Sequence, residues 1–416
     1  MSHSQAPEGL AHLFRHEYGS LVASLVRQFG IQRIDLIEDS VQDSMAQALT
    51  IWSMSTRPEN PSGWLYQVTY KYILSALRKD KRQHTILYEN FDSSFNESNR
   101  QVYAPLVGQM SDALLRMFFI ACHESISQES QLVFTLKSLC GFSVKEISAR
   151  LFISEANVYK RFNRAKKSLV KQNFVLDEIT QVQAEKRMPA VYKVLYLMLT
   201  EGYLSSHPDL TIRLDLCLEA ERLARILCEH PWGNKPETYA LLALIHFNLA
   251  RIATRENKAG LVLLADQQRD LWDKQKIAQA LSYLALSAQG DSISRYHIEA
   301  SIAAEHCLAE SFQKTRWQNI VAAYELLESV APSPMHRLNR ALAVAENDTP
   351  EAGLKILEDA DIPSWLQRSY HWYAVLADLQ YRTNDTAAAV QNVNKAIELA
   401  PSQYVKDLLN QRMSRY

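Results

Sequence analysis

Apolar residues recur at helical spacing along almost the whole chain, and the densest cluster of helix start and stop signals falls in residues 141–171. Val144, Ile147 and Leu151 line one face of a first predicted helix there, with Ser143 as its cap and Glu146, three residues on, completing a capping box. After a turn at Phe152 and Ile153, Ser154 caps a second helix whose apolar stripe is Val158, Phe162, Ala165 and Leu169. The other side of that helix carries Asn157, Tyr159, Lys160, Arg161, Asn163, Arg164, Lys167 and Lys171. An apolar stripe backed by basic and amide groups suits a helix lying in a DNA major groove, where cations hold phosphates and asparagine or arginine reads base edges. A solvated surface helix would show much of the same pattern.

Towards the N-terminus the same periodicity predicts three more helices. Leu10, Phe14, Leu21, Leu25 and Phe29 share a face that ends at Gly30. In the next helix Ile37, Val41, Ala48 and Trp52 point inward, and Glu38, Asp39, Gln42 and Asp43 form an acidic outer corner. On spacing alone that corner is solvated surface, or else a docking face for a basic partner. In residues 64–82, Leu65, Thr69, Tyr72 and Ala76 fall on one side, and Gln67, Tyr70, Lys71, Leu74, Arg78 and Lys81 on the other. Rings among cations are what an unpaired DNA strand requires, since rings stack on any base while the cations follow the backbone. The competing reading puts the aromatics in the core and leaves the basic end to complement the helix dipole. Residues 83–110 lose the periodicity and read as a polar tether, and 112–140 return to amphipathic helices.

Beyond residue 180 the pattern stays helical, punctuated by His207-Pro208, Pro231-Trp232-Gly233, Gly290-Asp291, Pro332-Ser333-Pro334 and Pro363. A stretch starting at Ala345 recurs loosely from Arg382, both around an Asn-Asp pair, at an offset close to the roughly 34 residues of tetratricopeptide repeats. Glu201, Tyr203, Asp266, Arg269, Asp273, His297, Glu299 and His306 are polar groups amid apolar helices. They could line a ligand or catalytic pocket, although buried networks that fix helix packing are the commoner outcome.

Composition narrows the picture to a helical globular protein: 47% of residues are hydrophobic and only 11 are glycine. The net charge is −1, so a nucleic-acid surface has to be local, at Lys71 to Arg82 and Lys160 to Lys171. Cys122, Cys140, Cys217, Cys228 and Cys307 are scattered without a C-x-x-C pair, as expected of reduced thiols in a cytoplasmic protein. No secretory leader or membrane span is predicted. Neither His16-Glu17 nor His123-Glu124 is followed by the second histidine of a zinc protease motif, and phosphate-cradle and serine-hydrolase motifs are absent. No metal site, cofactor or enzymatic activity is predicted.

On EDSVQDSMAQAL, NPSGWLYQV and RKDKR, residues 8–83 resemble region 2 of bacterial sigma factors of the extracytoplasmic-function type, and 111–175 resemble region 4 of the same proteins. The resemblance implies an all-α fold made of region 2, a linker over 84–110, region 4 and a helical domain over 180–416 that is tetratricopeptide-like towards 335–410. It implies a non-enzymatic subunit of RNA polymerase that recognises −35 and −10 promoter elements and opens the DNA. Asp39, Gln42 and Asp43 would meet the polymerase β′ clamp. Trp64, Gln67, Tyr70, Lys71, Arg78 and Lys81 would face the −10 element, and Asn157, Lys160, Arg161, Arg164 and Lys167 the −35 element. Tyr70, Lys71 and Ser75 stand where the family commonly has an Arg-Asn pair and an Asp, and Phe152 replaces the glycine of many such turns.

The extension resembles, through MPAVYKVLYLMLTEGY and APSPMHRLNRALAVAE among other stretches, a subgroup whose fused C-terminal domain regulates the sigma factor in cis. That likeness implies the polymerase core (β′ and β subunits) and promoter DNA as partners, together with small proteins of the DGPF/YCII type. Two other functions fit the bare pattern: a helix-turn-helix regulator with a ligand- or protein-sensing helical domain, and a tetratricopeptide scaffold.

Overall fold

The computed structural model describes residues 5–54, 58–83, 106–151, 153–203, 212–257, 260–358, 362–400 and 402–413. The chain is all-α and divides into two compact units, Met1–Val194 and Leu195–Tyr416.

Unit 1 begins with α1 (Gln5–Phe29), α2 (Ile34–Met54) and α3 (Pro61–Gln83). Leu21, Leu25, Ile37, Val41, Ala48 and Leu65 are buried, as their spacing predicts, and Ile73 is buried as well, whereas Tyr72 and Ala76 are only half-buried. Two buried hydroxyls in this layer satisfy each other and the backbone: Thr69 donates to Ser44 Oγ at 2.7 Å and Ser44 to Val41 O at 2.8 Å, whereas the buried Ser24 Oγ of α1 has no partner. The second half comprises α4 (Leu106–Ala121), α5 (Gln128–Phe134), α6 (Val144–Leu151) and α7 (Glu155–Gln172). Residues 106–110, assigned to the tether by their sequence, are already helical. A π-turn, Thr135–Leu139, extends α5, with the Cys140 N–H reaching back to Thr135 O at 3.1 Å. Asn173 stops α7 in the left-handed conformation (φ 51°), a common helix terminator.

The two halves of unit 1 are packed on each other through α1, α4 and the π-turn. Gly19 of α1 sits so close to the π-turn that a Cβ there would lie 1.9 Å from Leu139 O. The following Gly141 takes φ +69°, and a Cβ on it would meet Tyr18 at 3.1 Å.

Helix α8 (Gln181–Tyr203) runs through the boundary between units. Its early turns belong to unit 1: Arg187, 5% exposed, donates to Phe119 O and lies over the Phe174 ring, and Lys186 pairs with Glu124 at 2.9 Å. Unit 1 therefore extends past residue 180, where the sequence places the next domain.

Unit 2 contains α9 (Leu214–Glu229), α10 (Pro236–Arg251), α11 (Lys274–Ser287), α12 (Arg295–Leu308), α13 (Trp317–Val330), α14 (Pro334–Asn347), α15 (Pro350–Glu358), the single turn α16 (Ser364–Gln367), α17 (Tyr370–Arg382), α18 (Thr386–Leu399) and α19 (Gln403–Met413). A two-residue antiparallel pair, Glu256–Asn257 with Gly260–Leu261, is the only sheet among the described residues. From α13 onward, α13 with α14, α14 with α15 and α17 with α18 pack as hairpins, and α15 packs on α17. The two Asn-Asp pairs both fall in hairpin turns, with one difference. Asp385 caps α18 by accepting the Ala388 N–H at 3.1 Å, whereas Thr349 takes that role for α15, accepting from Ala352 at 3.2 Å. Pro350 explains the shift, since proline fits the first helical position and leaves Thr349 as the cap.

Candidate nucleic-acid interface

The local signals at 141–171 are realised. The Ser143 N–H donates to Glu146 Oε2 at 2.8 Å and the Glu146 N–H to Ser143 Oγ at 3.2 Å, a reciprocal cap on α6. Ser154 Oγ accepts the Asn157 N–H at 3.3 Å and starts α7. Val158, Phe162, Ala165 and Leu169 are all buried, with Phe162 stacked on Phe134 of α5 (centroids 5.6 Å apart). Anchoring that stripe leaves Asn157, Lys160, Arg164 and Lys167 exposed, with Arg161 half-buried and Tyr159 52% exposed between them. The exposed side thus presents five cations, counting Lys171, the amides of Asn157 and Asn163 and a ring, and Glu155 near its start is the one acidic residue of the helix itself.

On α3 the outer face differs from the pattern-based expectation. Gln67, Lys71, Ser75 and Arg78 are exposed in one row, but Tyr70 is buried at 8%. Its ring packs on Phe29 of α1 (5.3 Å) and its hydroxyl accepts from Gln28 at 3.4 Å. Tyr70 is therefore part of the helix packing and cannot stack on a base in this arrangement, because Phe29 covers the face a base would need. Trp64 is half-buried with its ring edge-on to Trp52 at 5.4 Å, at the margin of the row. The side chain of Lys81, Phe152 and the tether over 84–105 lie outside the described residues.

The acidic corner of α2 splits in two. Asp39, Gln42 and Asp43 are exposed. Glu38, predicted to share that face, is buried at 3%: Lys137 Nζ donates to its Oε2 and Ser138 Oγ to its Oε1, each at 2.6 Å. Lys137 also lies 4.3 Å over the Phe162 ring, so the same ammonium touches α2 and α7. At the surface Lys166 of α7 pairs with Asp35 of α2 at 2.6 Å, and Arg27 bridges Asp112 (3.1 Å) and Asp177 (2.6 Å). The sequence carries one hint of this seam: Lys137 is a cation in an otherwise apolar stretch.

Residues 119–169 match sigma-70, region 4. The match spans the end of α4 through nearly all of α7 and supports a factor of the sigma-70 type with a DNA-binding role in transcription. Residues 187–288 match a family of unknown function, DUF6596. An uncharacterized protein of Rhizobium meliloti (strain 1021) is 29% identical over 381 residues, covering 91% of this chain and 89% of its own length. The likeness therefore extends across both units. No solved structure matches.

The five cysteines are free and buried. Among the described residues no cluster suits a metal ion, and no helix is long and apolar enough to cross a membrane. Several polar groups singled out in the extension serve packing. Asp273 caps α11 through the Lys276 N–H (3.0 Å), His297 Nδ1 accepts the Ser294 N–H (3.1 Å), and Glu299 pairs with Arg295 (2.7 Å), whose guanidinium lies over Tyr196.

Proposed function

We propose that this protein is an RNA polymerase sigma factor of the extracytoplasmic-function type, cytoplasmic and non-enzymatic, with a fused helical domain that regulates it in cis. The observation that carries the reading is α7: its sequence matches region 4, its apolar stripe is buried, and its opposite side offers Asn157, Lys160, Arg161, Arg164 and Lys167 to a major groove. The exposed row Gln67, Lys71 and Arg78, with Trp64 at its margin and Lys81 further along the helix, would contact the −10 strand. Asp39, Gln42 and Asp43 would dock on the basic β′ clamp, and the helical hairpins from α13 onward would form the tetratricopeptide-like part of the regulatory domain, open to small protein partners of the DGPF/YCII type.

Two promoter elements read by two modules require α3 and α7 to act at separate points of the duplex. The seam through Glu38, Lys137, Asp35 and Lys166 would then open when the chain joins polymerase.

The test is reconstitution with core polymerase and run-off transcription from the protein's own upstream region. Charge reversal at Arg161→Glu with Arg164→Glu should reduce specific transcripts at least tenfold while core binding persists. Asp39→Lys with Asp43→Lys should do the opposite, losing core binding. Duplex binding without any core binding by the wild type would sink the sigma reading in favour of a plain helix-turn-helix regulator.

A further inference from the structure

Unit 2 contains a basic cluster that the helix packing leaves without counter-charge. Arg251, the last residue of α10, is buried at 7% exposed, and Arg269 lies in the one-turn helix Arg269–Leu271. Both guanidiniums lie over the Trp272 ring, 5.5 and 4.7 Å from its centroid. The ring is fixed in place, because its Nε1 donates to the buried Thr254 Oγ1 at 2.8 Å. His306 of α12 abuts the pair: Arg269 Nη1 donates to the carbonyls of His306 and Ala309. Arg251 Nε, Arg269 Nη2 and His306 Nδ1 are shielded from solvent and have no hydrogen-bond partner within the chain.

The electrostatics run one way. Burial, then Arg251 and Arg269, push the His306 imidazole down to about 3, so it is neutral at physiological pH. Burial and then Arg251 also lower Arg269. The carboxylates nearby are committed or turned outward. Asp273 caps α11, Asp266 and Asp270 are exposed, and Glu299, which shares the neighbourhood of Tyr324 with Arg251, is held by Arg295. One turn beyond Arg251, Arg255 repeats the motif, with its guanidinium 3.7 Å over Tyr203 and its Nε likewise unpartnered.

Buried guanidiniums without a carboxylate are costly, and their planar donor fork matches phosphate and carboxylate groups. We propose that Arg251, Arg269 and His306 bind a compact, multiply charged oxyanion, the phosphate or polycarboxylate group of a small molecule. Arg269 and His306 are half-buried, so the cluster retains some contact with solvent. The inference stands independently of the sigma-factor reading and concerns ligand binding by unit 2 alone.

The full chain should be titrated calorimetrically with pyrophosphate and with citrate at matched ionic strength. Saturable binding of either, accompanied by a rise in Tm, is the expected result. Preference for pyrophosphate would mark a phosphorylated ligand, and preference for citrate a polycarboxylate. Arg251→Gln and Arg269→Gln should each weaken binding at least tenfold, while Arg316→Gln, at an exposed position paired with Glu305, should leave it unchanged. Should a glutamine variant not fold, Arg251→Lys keeps the charge and loses the fork, and its affinity should still fall several-fold. Failure of both anions to saturate at millimolar concentration, or equal affinity in the folded arginine variants, overturns the proposal.

Discussion

Glu38 in unit 1 and Arg251 in unit 2 are withdrawn from water to similar degrees, 3% and 7% exposed, yet they are handled in opposite ways. An ammonium and a hydroxyl meet Glu38, whereas Arg251 lies beside a second guanidinium and a neutral histidine. A matched buried charge dictates which helices meet, because either partner left alone would be stranded. An unmatched one specifies nothing inside the chain and creates a field that an outside ion can satisfy. The same physics thus yields a structural joint in one unit and a candidate binding site in the other.

Removing the matched charge should have the largest effect. Glu38→Ala strands Lys137 and should lower the stability of unit 1 by about 3 kcal/mol, read from urea unfolding, with Lys137→Met in the same chain restoring much of the loss. A small effect for the single variant would mean the joint is not a joint.

Glu201 represents a third treatment of buried charge, since burial, only partly offset by Arg213, lifts its carboxyl to about 7. A folded value above the unfolded one means its contribution is whole below the ordinary carboxyl range and is lost as pH climbs through about 7. Glu201→Gln should therefore stabilise increasingly from pH 5 to pH 8, reaching about 2 kcal/mol after allowance for partial solvent contact. A gain that does not grow with pH would show that the carboxyl titrates normally.

Arg251→Gln without added anion should change stability by no more than about 1 kcal/mol, in contrast to Glu38. A loss as large as that of Glu38→Ala would place Arg251 among the structural charges and erase the distinction. Smallest of all, Asp35→Ala removes a pair whose carboxylate is 66% exposed, and unfolding should shift by less than about 0.5 kcal/mol.

What could be read from the sequence follows the range of the interactions. The reciprocal cap at Ser143 and Glu146, the Ser154 cap and the stripe from Val158 to Leu169 depend on neighbours within a few residues, and all are legible. Glu38 and Tyr70 are not legible in the pattern because their partners are remote: Lys137 stands 99 residues away, and Phe29 belongs to another helix. A helical wheel places a side chain on a face but does not say which faces another helix will cover. The burial of Arg251 is illegible for a related reason, since a basic residue in the last turn of α10 suits the helix dipole and gives no sign of burial.

The contact at Gly19 gives the seam of unit 1 a particular character. The ion pairs around it can weaken by degrees, through salt, pH or the exchange of one charged residue for another. At Gly19 main chain meets main chain, with no side chain to shorten, rotate or recharge. The smallest change available to evolution or to an experimenter is a whole methyl group, and there is no room for it. The contact therefore has no graded setting: any side chain at position 19 would have to displace the main chain at Leu139, whatever the charges beside it.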